Sequence, residues 1–222
     1  MRTKACIFDL DGVIVDTARY HYLAWKRLAE KLNVHFTEKD NERIKGVSRM
    51  DSLDIILEKS NLKLDYDLKE EYASLKNKWY IDYISRMTSD EILPGSLKFI
   101  NELKKADIRV VIGSASKNTR LILERVKINN LFDAVVDGNI VSKAKPDPEV
   151  FIIAAKMVNI KPRLCIVFED AVAGVQAAKN AGMICVGVGS EKVLTEAHSV
   201  ISGLNKINLK KLQKIEIIYG YE

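Results

Sequence analysis

A run of four apolar residues, Ala5–Phe8, leads directly into Asp9-Leu10-Asp11-Gly12 near the start of the chain. Four consecutive apolar residues are typical of a strand that is buried on both faces of a parallel sheet. Such a strand delivers two carboxylates to its C-terminal end, where open α/β sheets bind their ligands. Two acids this close repel each other, so one must take up a proton or a cation must lie between them. The opening residues therefore predict a parallel α/β fold with a functional site at one edge of its sheet.

Strand-like and helical segments alternate from about residue 100 onward. This alternation predicts βαβ units, a parallel sheet and right-handed crossovers. The predicted strands are short apolar runs at residues 4–8, 108–113, 132–136, 164–168 and 184–188. The predicted helices between the later strands cover residues 119–126, 148–158 and 171–181. The lysine- and isoleucine-rich tail after Gly203 is expected to form a last helix and an edge strand.

The segment between residues 18 and 88 contains helical patterns and no convincing β-branched strand. Apolar residues recur there at the spacing of one helix face. The three expected faces consist of His21, Trp25, Leu28 and Leu32, of Leu53, Ile56 and Leu57, and of Tyr72, Leu75, Trp79 and Tyr83. We therefore assign residues 17–88 to a small helical cap domain inserted after the first strand, and residues 1–16 and 89–222 to an α/β core domain.

Composition narrows the class of protein. The chain has 222 residues, 47% hydrophobic and 29% charged, which is ordinary for a soluble enzyme, and neither a membrane-length apolar run nor a signal peptide is evident. The net charge of +5 is spread over helices that also carry glutamate, so no nucleic-acid partner is expected. Cys6, Cys165 and Cys185 lie in apolar strand-like runs, which favours buried free thiols in a reducing cytoplasm. No heptad or repeated apolar patch argues for assembly, so a monomer is expected.

Polar residues lie at or near the expected C-terminal ends of strands in four short pieces, residues 9–11, 113–118, 143–147 and 168–170. In a doubly wound sheet these ends converge on one crevice. Carboxylates suit Mg²⁺, which takes a few of them together with waters and a phosphate oxygen. Hydroxyl and ammonium donors can hold the phosphate itself. The acids are Asp9, Asp11, Glu169 and Asp170, and the donors are Ser114, Ser116 and Lys145.

Each of these residues also has a plainer interpretation. Glu169 and Asp170 can simply begin the next helix, because acids favour helix N-termini. Lys145 can belong to an ordinary turn, and Lys143 competes with it for the phosphate role. His21 taken alone is a packed or exposed histidine, and its stripe with Trp25 would ordinarily mean packing. The residue pattern by itself leaves these alternatives open.

The four pieces resemble, in order and spacing, the four motifs of the haloacid dehalogenase superfamily. Residues 16–26 and 45–53 are similar to the cap of its β-phosphoglucomutase family, and the resemblance extends through Val188. It implies a Rossmann-like core with a helical cap. It also implies a Mg²⁺-dependent phosphomutase that interconverts β-glucose 1-phosphate and glucose 6-phosphate, a small-molecule sugar phosphate in each direction. The intermediates would be an aspartyl-phosphate and β-glucose 1,6-bisphosphate.

The resemblance implies a role for each matched core residue. Asp9 would be the nucleophile and Asp11 the general acid/base, while Ser114 and Lys145 would stabilise the transferring phosphoryl group. Lys145 is preferred to Lys143 because it abuts the proline, as in the family. The Mg²⁺ ligands would be the Asp9 side chain, the Asp11 backbone carbonyl, Glu169 and Asp170.

Substrate-binding residues are implied in both the cap and the core. They are Thr17, His21, Trp25, Gly46, Val47, Arg49, Ser52, Lys76, Ala115, Ser116, Lys117 and Asn118, with Asn77 beside them. Thr17 and His21 would orient Asp11 as the cap closes, and Arg49 would clamp the second phosphate with residues 116–118. The neighbouring aromatics Trp79, Tyr80 and Tyr83 are expected to be cap core.

Two other functions fit part of the pattern. The core motifs alone fit a sugar-phosphate phosphatase that uses the same nucleophile, and the cap is what favours a sugar as the acceptor. A signalling receiver also combines acids, Mg²⁺ and a lysine. Receivers are shorter, lack an inserted cap and do not place the phosphorylated residue at the first strand.

Overall fold

Six parallel strands form one sheet in the computed structural model, which describes residues 2–44, 47–60 and 62–220. The sheet order is β3-β2-β1-β4-β5-β6. The strands are β1 Ala5–Phe8, β2 Arg109–Gly113, β3 Ala134–Val136, β4 Cys165–Glu169, β5 Ile184–Val188 and β6 Ser199–Ile201. The predicted parallel α/β class is confirmed, and β1 lies at the centre of the sheet.

The register of the central strands brings the functional loops together. Phe8 of β1 pairs with Ile112 of β2 and with Phe168 of β4, so these three strands end at the same level. The rings of Phe8 and Phe168 stack with their centroids 4.7 Å apart, and Phe99 meets Phe168 edge-on at 5.5 Å. The Asp9 amide then donates to the Phe168 carbonyl over 2.9 Å. Asp9 is thereby fixed next to the residues that follow β4.

Nine α-helices of the described residues surround or cap the sheet. Four follow β1, namely α1 Ala18–Lys31, α2 Glu38–Arg43, α3 Arg49–Leu57 and α4 Tyr66–Ile84. Five accompany the other strands, namely α5 Ser96–Lys105, α6 Thr119–Arg125, α7 Glu149–Met157, α8 Val172–Asn180 and α9 Leu209–Tyr219. Apolar residues of α5, α6 and α9 cover one face of the sheet, and those of α7 and α8 cover the other. None of the described helices combines the length and apolarity needed to cross a membrane.

Two linkers connect the α1–α4 helices to the sheet, and they run side by side. Val15 forms an antiparallel bridge with Ile92. The Asp16 amide donates to the carbonyl of Glu91, and the Glu91 carboxylate accepts from Arg19 at 2.6 Å. These contacts tie the entrance and the exit of the helical segment to each other. The exact bounds of the cap, residues 17–88, stay a prediction.

The structure corrects three details of the predicted elements. Helix α2 contains no apolar residue and was not expected, and it depends on a capping box between Thr37 and Asp40. Helix α5 was also missed, although it has a buried apolar face. Strand β6 precedes Gly203 instead of following it, whereas the last helix follows as expected.

Helix α4 turns a different face inward from the one predicted. Its buried residues are Ala73, Lys76, Tyr80 and Ile84, whereas the predicted Tyr72, Leu75, Trp79 and Tyr83 are half-buried. The small Ala73 permits close packing, while the aromatic rings cover the flanks of the helix. For example, the guanidinium of Arg27 lies over the ring of Trp79, 4.2 Å from the ring centroid. The shift by one residue places a lysine and a tyrosine on the inner face.

Candidate active site

Three carboxylates gather where β1 and β4 end. Asp9, Glu169 and Asp170 each offer one oxygen, and these oxygens lie within 4.8 Å of one another. Asp9 is 6% exposed and Glu169 is 1% exposed. Burial, with repulsion from Asp9 and Asp170, raises the pKa of Glu169 well above its usual range, against the lowering effect of Lys145. An all-oxygen set with excess negative charge fits a hard divalent cation such as Mg²⁺.

The ammonium of Lys145 lies inside this acidic group. Its Nζ is 2.6 Å from Asp9 Oδ1 and 3.0 Å from Glu169 Oε1, and the side chain is 1% exposed. Burial alone would lower the pKa of Lys145, but the attraction of the two acids outweighs it and raises the pKa. Lys143, the alternative in the sequence, is 68% exposed at its side chain and pairs with Asp147 at 3.5 Å. The geometry thus favours Lys145 as the cation of the site.

Glu149 braces the loop that carries Lys145. Its carboxylate accepts from the Ser142 amide at 2.7 Å and from the Lys143 amide at 2.6 Å. Farther along the loop, the Asn180 side-chain amide donates to the Pro146 carbonyl at 3.0 Å. The Lys145–Pro146 peptide bond is cis. The loop is therefore tied at both ends to α7 and α8.

The Asp11 carboxylate stands outside the three-acid group. Its Oδ1 accepts a hydrogen bond from the Thr17 hydroxyl, while its own amide donates to Asp9 Oδ2 at 3.1 Å. Burial and the neighbouring charge of Asp9 raise the pKa of Asp11 to about 6. Because Thr17 holds the side chain, the arrangement is compatible with a metal ligand at the Asp11 backbone carbonyl.

Two glycines make room for the acids. A Cβ on Gly174 in α8 would overlap the Glu169 carboxylate. A Cβ on Gly12, whose φ is +80°, would overlap the Asp170 carboxylate. The helix after β4 can approach the acidic group this closely only because residue 174 has no side chain.

Gly174→Ala is therefore expected to impair the site although it favours the helix. Alanine is about 1 kcal/mol better than glycine in a helix interior, but its methyl group must displace Glu169. We expect Mg²⁺ affinity to fall by roughly 10- to 100-fold, as for mutations of residues that orient metal ligands, and activity to fall with it. Titration of Mg²⁺ by calorimetry measures the effect. Gly182→Ala in the turn after α8 is the control: at its φ of +68° a side chain strains the backbone, but a Cβ there meets nothing within 4 Å, so stability should fall without a loss of Mg²⁺ affinity. Unchanged Mg²⁺ affinity in Gly174→Ala would contradict the prediction.

The loop after β2 presents hydroxyl groups and amides beside the acids. The Ser114 hydroxyl is buried and accepts from the Ser116 amide at 3.1 Å. The Ser116 hydroxyl accepts in turn from the Asn118 amide at 3.2 Å. Lys117 is exposed, and its carbonyl accepts from the Asn139 side chain at 2.9 Å. These bonds fix the loop in a shape that brings Ser114, Ser116 and Lys117 to the cavity edge.

A group of basic side chains approaches from the helical segment. Lys76, 3% exposed, lies with its ammonium 4.6 Å from the ring centroid of Trp25 and donates to Nδ1 of His21 at 3.1 Å. Burial and the nearby charge of Arg49 lower the pKa of Lys76 to about 7. Burial and the charges of Lys76 and Arg49 lower the pKa of His21 well below its usual value. His21 is therefore neutral and accepts a hydrogen bond from the Lys76 ammonium. The basic side chains of this group together favour the binding of an anion.

The basic group and the acidic group both line a cavity of about 440 Å³, and so do most predicted site residues. From the core these are Asp9, Asp11, Ser114, Ala115, Ser116, Lys117, Asn118, Lys145, Glu169 and Asp170. From the helical segment they are His21, Trp25, Val47, Arg49, Ser52, Lys76 and Asn77. Thr17 is fully buried and its hydroxyl donates to Asp11, and its predicted part in substrate binding stays a prediction. Gly46 lies outside the described residues.

Tyr80 was expected to be cap core, and it is buried, but it also lines the cavity. Its ring lies 4.1 Å from that of His21, and burial together with the charge of Asp11 raises the pKa of its hydroxyl well above the usual range. The sequence contains one signal for this position: Tyr80 follows Lys76 by four residues and therefore lies on the same face of the helix. His21 itself contacts Lys76 and Tyr80, and its predicted orienting of Asp11 stays a prediction.

Comparison with known proteins agrees with this geometry. The family model for haloacid dehalogenase-like hydrolases matches residues 3–182, so the chain belongs to that family. Within it, the chain is 41% identical to the β-phosphoglucomutase of Bacillus subtilis over 95% of its own length and 94% of the relative's. The crystal structure of β-phosphoglucomutase from Clostridium difficile superposes with a TM-score of 0.92 at 40% identity and covers 98% of both chains. A phosphorylated carbohydrates phosphatase of Thermotoga maritima is 29% identical over 90% of this chain and 88% of its own.

Proposed function

We propose that this protein is a β-phosphoglucomutase that interconverts β-glucose 1-phosphate and glucose 6-phosphate through β-glucose 1,6-bisphosphate. The observation that carries the proposal is the pairing of two anion-binding groups across one cavity. Lys145 and Ser114 line the cavity from the core, where Lys145 pairs with Asp9 at 2.6 Å, while Arg49 and Lys76 line it from the helical segment. A sugar bisphosphate needs one phosphate site at each end. The similarity to β-phosphoglucomutases over nearly the whole chain supports the same activity.

Asp9 would attack phosphorus with a carboxylate oxygen. The new bond joins Asp9 to phosphorus as the bond from phosphorus to the sugar oxygen breaks, which gives an aspartyl-phosphate. Lys145 and Ser114 would stabilise the negative charge on the transferring group, where electrostatic positioning contributes most of the catalysis. Mg²⁺ would be held by the Asp9 and Asp170 side chains, the Asp11 carbonyl and Glu169, and it would offset the phosphate charge.

Asp11 would transfer the proton at the sugar oxygen. In one half-reaction it would protonate the leaving oxygen, and in the other it would take the proton from the attacking hydroxyl. Thr17 holds one Asp11 oxygen, and Thr17 opens the helical segment whose other residues line the cavity. The position of the cap would therefore also set the position of the Asp11 carboxylate. The aspartyl-phosphate would then meet a sugar hydroxyl in a site that excludes water.

The basic group would bind the phosphate that is not being transferred. Arg49 would present its planar guanidinium to the phosphate oxygens, together with Ser116, Lys117 and Asn118 of the β2 loop. Trp25, Val47, Ser52 and Lys76 would enclose the sugar between the two phosphates. Release and rebinding of the bisphosphate in the opposite orientation would exchange the roles of the two ends.

We propose a monomer as the active unit, because the sequence has no heptad or repeated apolar patch that argues for assembly. Three buried free cysteines, Cys6, Cys165 and Cys185, support a reducing compartment, and we place the reaction in the cytoplasm. A sugar phosphate is the small-molecule partner that both groups of the cavity fit.

A coupled assay tests the proposal. Glucose 6-phosphate is measured from β-glucose 1-phosphate with Mg²⁺ and catalytic β-glucose 1,6-bisphosphate, with the α anomer run beside it and phosphate release followed in parallel. We expect glucose 6-phosphate from the β anomer alone, and phosphate release far slower than isomerisation. Steady phosphate release without isomerised sugar would overturn the proposal in favour of a sugar-phosphate phosphatase, the activity named for the Thermotoga maritima relative.

Asp11→Asn is expected to separate proton transfer from metal binding. We expect turnover to fall by about 10²- to 10⁴-fold, because asparagine cannot exchange the proton. We expect Mg²⁺ affinity to be nearly unchanged, since the proposed ligand is the backbone carbonyl. Asp170→Asn, which alters a side chain of the three-acid group, is the matched variant that should lose Mg²⁺ affinity. If Asp11→Asn lost Mg²⁺ affinity to the same degree, the Asp11 side chain would be a ligand and the assignment would be wrong.

A further inference from the structure

Asn77 joins the helical segment to the core through a single oxygen atom. Its Oδ1 accepts from Nη2 of Arg49 at 2.9 Å and from the side-chain amide of Asn118 at 3.0 Å. Asn77 lies on α4 and Arg49 on α3, whereas Asn118 lies in the core loop after β2. We propose that Asn77 is a positioning residue that clasps the cap to the core and holds Arg49 and Asn118 together as one anion-binding unit.

The Asn77 side chain carries no charge, so it can position Arg49 without neutralising it. No carboxylate within the described part of the chain pairs with Arg49, whose guanidinium is held by the amide oxygen of Asn77 instead. An amide oxygen orients the guanidinium through its dipole and leaves the positive charge uncancelled. A carboxylate at the same place would neutralise Arg49 before any ligand arrives. Burial lowers the pKa of Arg49, so the protein already bears a cost for this unpaired charge, which a bound anion would relieve.

The shared oxygen also couples anion binding to closure of the cleft. A phosphate that takes hydrogen bonds from both Arg49 and Asn118 must find the two donors at the separation that Asn77 sets. With Asn77 in place the two donors are pre-organised, so less of the binding free energy is spent on ordering them. Without it, Arg49 is free to leave the core loop, and the phosphate has to draw the cap and the core together by itself.

The inference rests on the proposed function for the identity of the ligand, and its test needs no turnover. The affinity for glucose 6-phosphate is measured by calorimetry with Mg²⁺ for Asn77→Ala and Asn77→Asp, beside the unfolding temperature of each. Asn77→Ala removes the shared acceptor, and we expect affinity to fall about 10-fold, as for loss of a hydrogen bond to a charged group. Asn77→Asp keeps an acceptor and strengthens the bond to Arg49, so we expect an unchanged or raised unfolding temperature. Its affinity should fall more, about 100-fold, and the loss should shrink as salt is added.

Lys78→Ala is the matched control, because Lys78 is the next residue on α4 and is exposed. It should bind glucose 6-phosphate as the parent does. A purely structural role for Asn77 would make affinity follow the unfolding temperature, whereas the proposed role separates the two in Asn77→Asp. Parental affinity in both Asn77 variants would overturn the inference, and so would a loss that tracks stability. Failure of the mutase proposal would give a different result. The coupled assay would then show phosphate release in place of isomerisation, while the Asn77 variants would still bind the sugar phosphate more weakly than the parent.

Discussion

Replacing Asp9 with alanine is expected to abolish phosphoryl transfer. Asp9 is the buried acid whose Oδ1 meets Lys145 and whose Oδ2 accepts the amide of Asp11, so both of its oxygens are held in place. Alanine offers no oxygen to attack phosphorus, and the proposed mechanism gives the role of nucleophile to no other residue. Loss of a nucleophile costs about 10⁶-fold in well-studied covalent catalysis, and we expect a loss of that order. The fold should persist, because Lys145 keeps Glu169 as an ionic partner at 3.0 Å.

Two measurements check this expectation. The rate of glucose 6-phosphate formation should drop to background, and intact mass spectrometry should detect no added phosphoryl group after incubation with β-glucose 1,6-bisphosphate and Mg²⁺. Asp82→Ala, which removes an exposed carboxylate from α4, should leave both unchanged. Retained turnover or a retained phosphoryl adduct in Asp9→Ala would show that the nucleophile is another residue.

Local sequence indicated where the acidic side of the site would lie, although it left open whether Glu169 and Asp170 only begin a helix. A fully apolar strand is typical of the centre of a parallel sheet, and the residue after such a strand lies at the C-terminal edge. Asp9 follows β1 in this way, and Glu169 ends β4, so strand order and register alone bring them together. The choice between Lys143 and Lys145, in contrast, could not be made from local sequence. Adjacent loop residues give no periodic signal, and only the resemblance separated two lysines that differ completely in burial.

The basic side was harder to predict because tertiary packing decides which helix face turns inward. The aromatic stripe of α4 gave the stronger apolar pattern, yet the face that contains Lys76 and Tyr80 is the buried one. A buried lysine becomes intelligible only once Trp25 and His21 of α1 are seen around it. The requirement for glycine at position 174 was equally invisible in the sequence, since it depends on where the Glu169 side chain of another element lies.

Lys145→Met is expected to damage both stability and activity, since it removes the cation from a buried acidic cluster. Methionine has similar length but no charge, so Asp9 and Glu169 lose their ionic partner at 2.6 Å and 3.0 Å. Removing one member of a buried ion pair costs roughly 3–5 kcal/mol, and we expect a destabilisation of this size without metal. Activity should fall by at least about 10²- to 10³-fold, the usual cost of losing one group that stabilises transition-state charge.

Thermal unfolding with and without Mg²⁺ separates the two effects of Lys145. A divalent cation that binds Asp9, Glu169 and Asp170 replaces part of the missing positive charge, so Mg²⁺ should stabilise Lys145→Met more than it stabilises the parent. Activity should stay low even at saturating Mg²⁺, because the transferring phosphoryl group would still lack the ammonium of Lys145 beside Asp9. Lys143→Met is the matched control, and its exposed side chain should make it neutral within about 0.5 kcal/mol. If Lys143→Met lost activity while Lys145→Met kept it, the cation that serves the phosphate would be Lys143, and the charge of the buried cluster would have to be balanced by the metal alone.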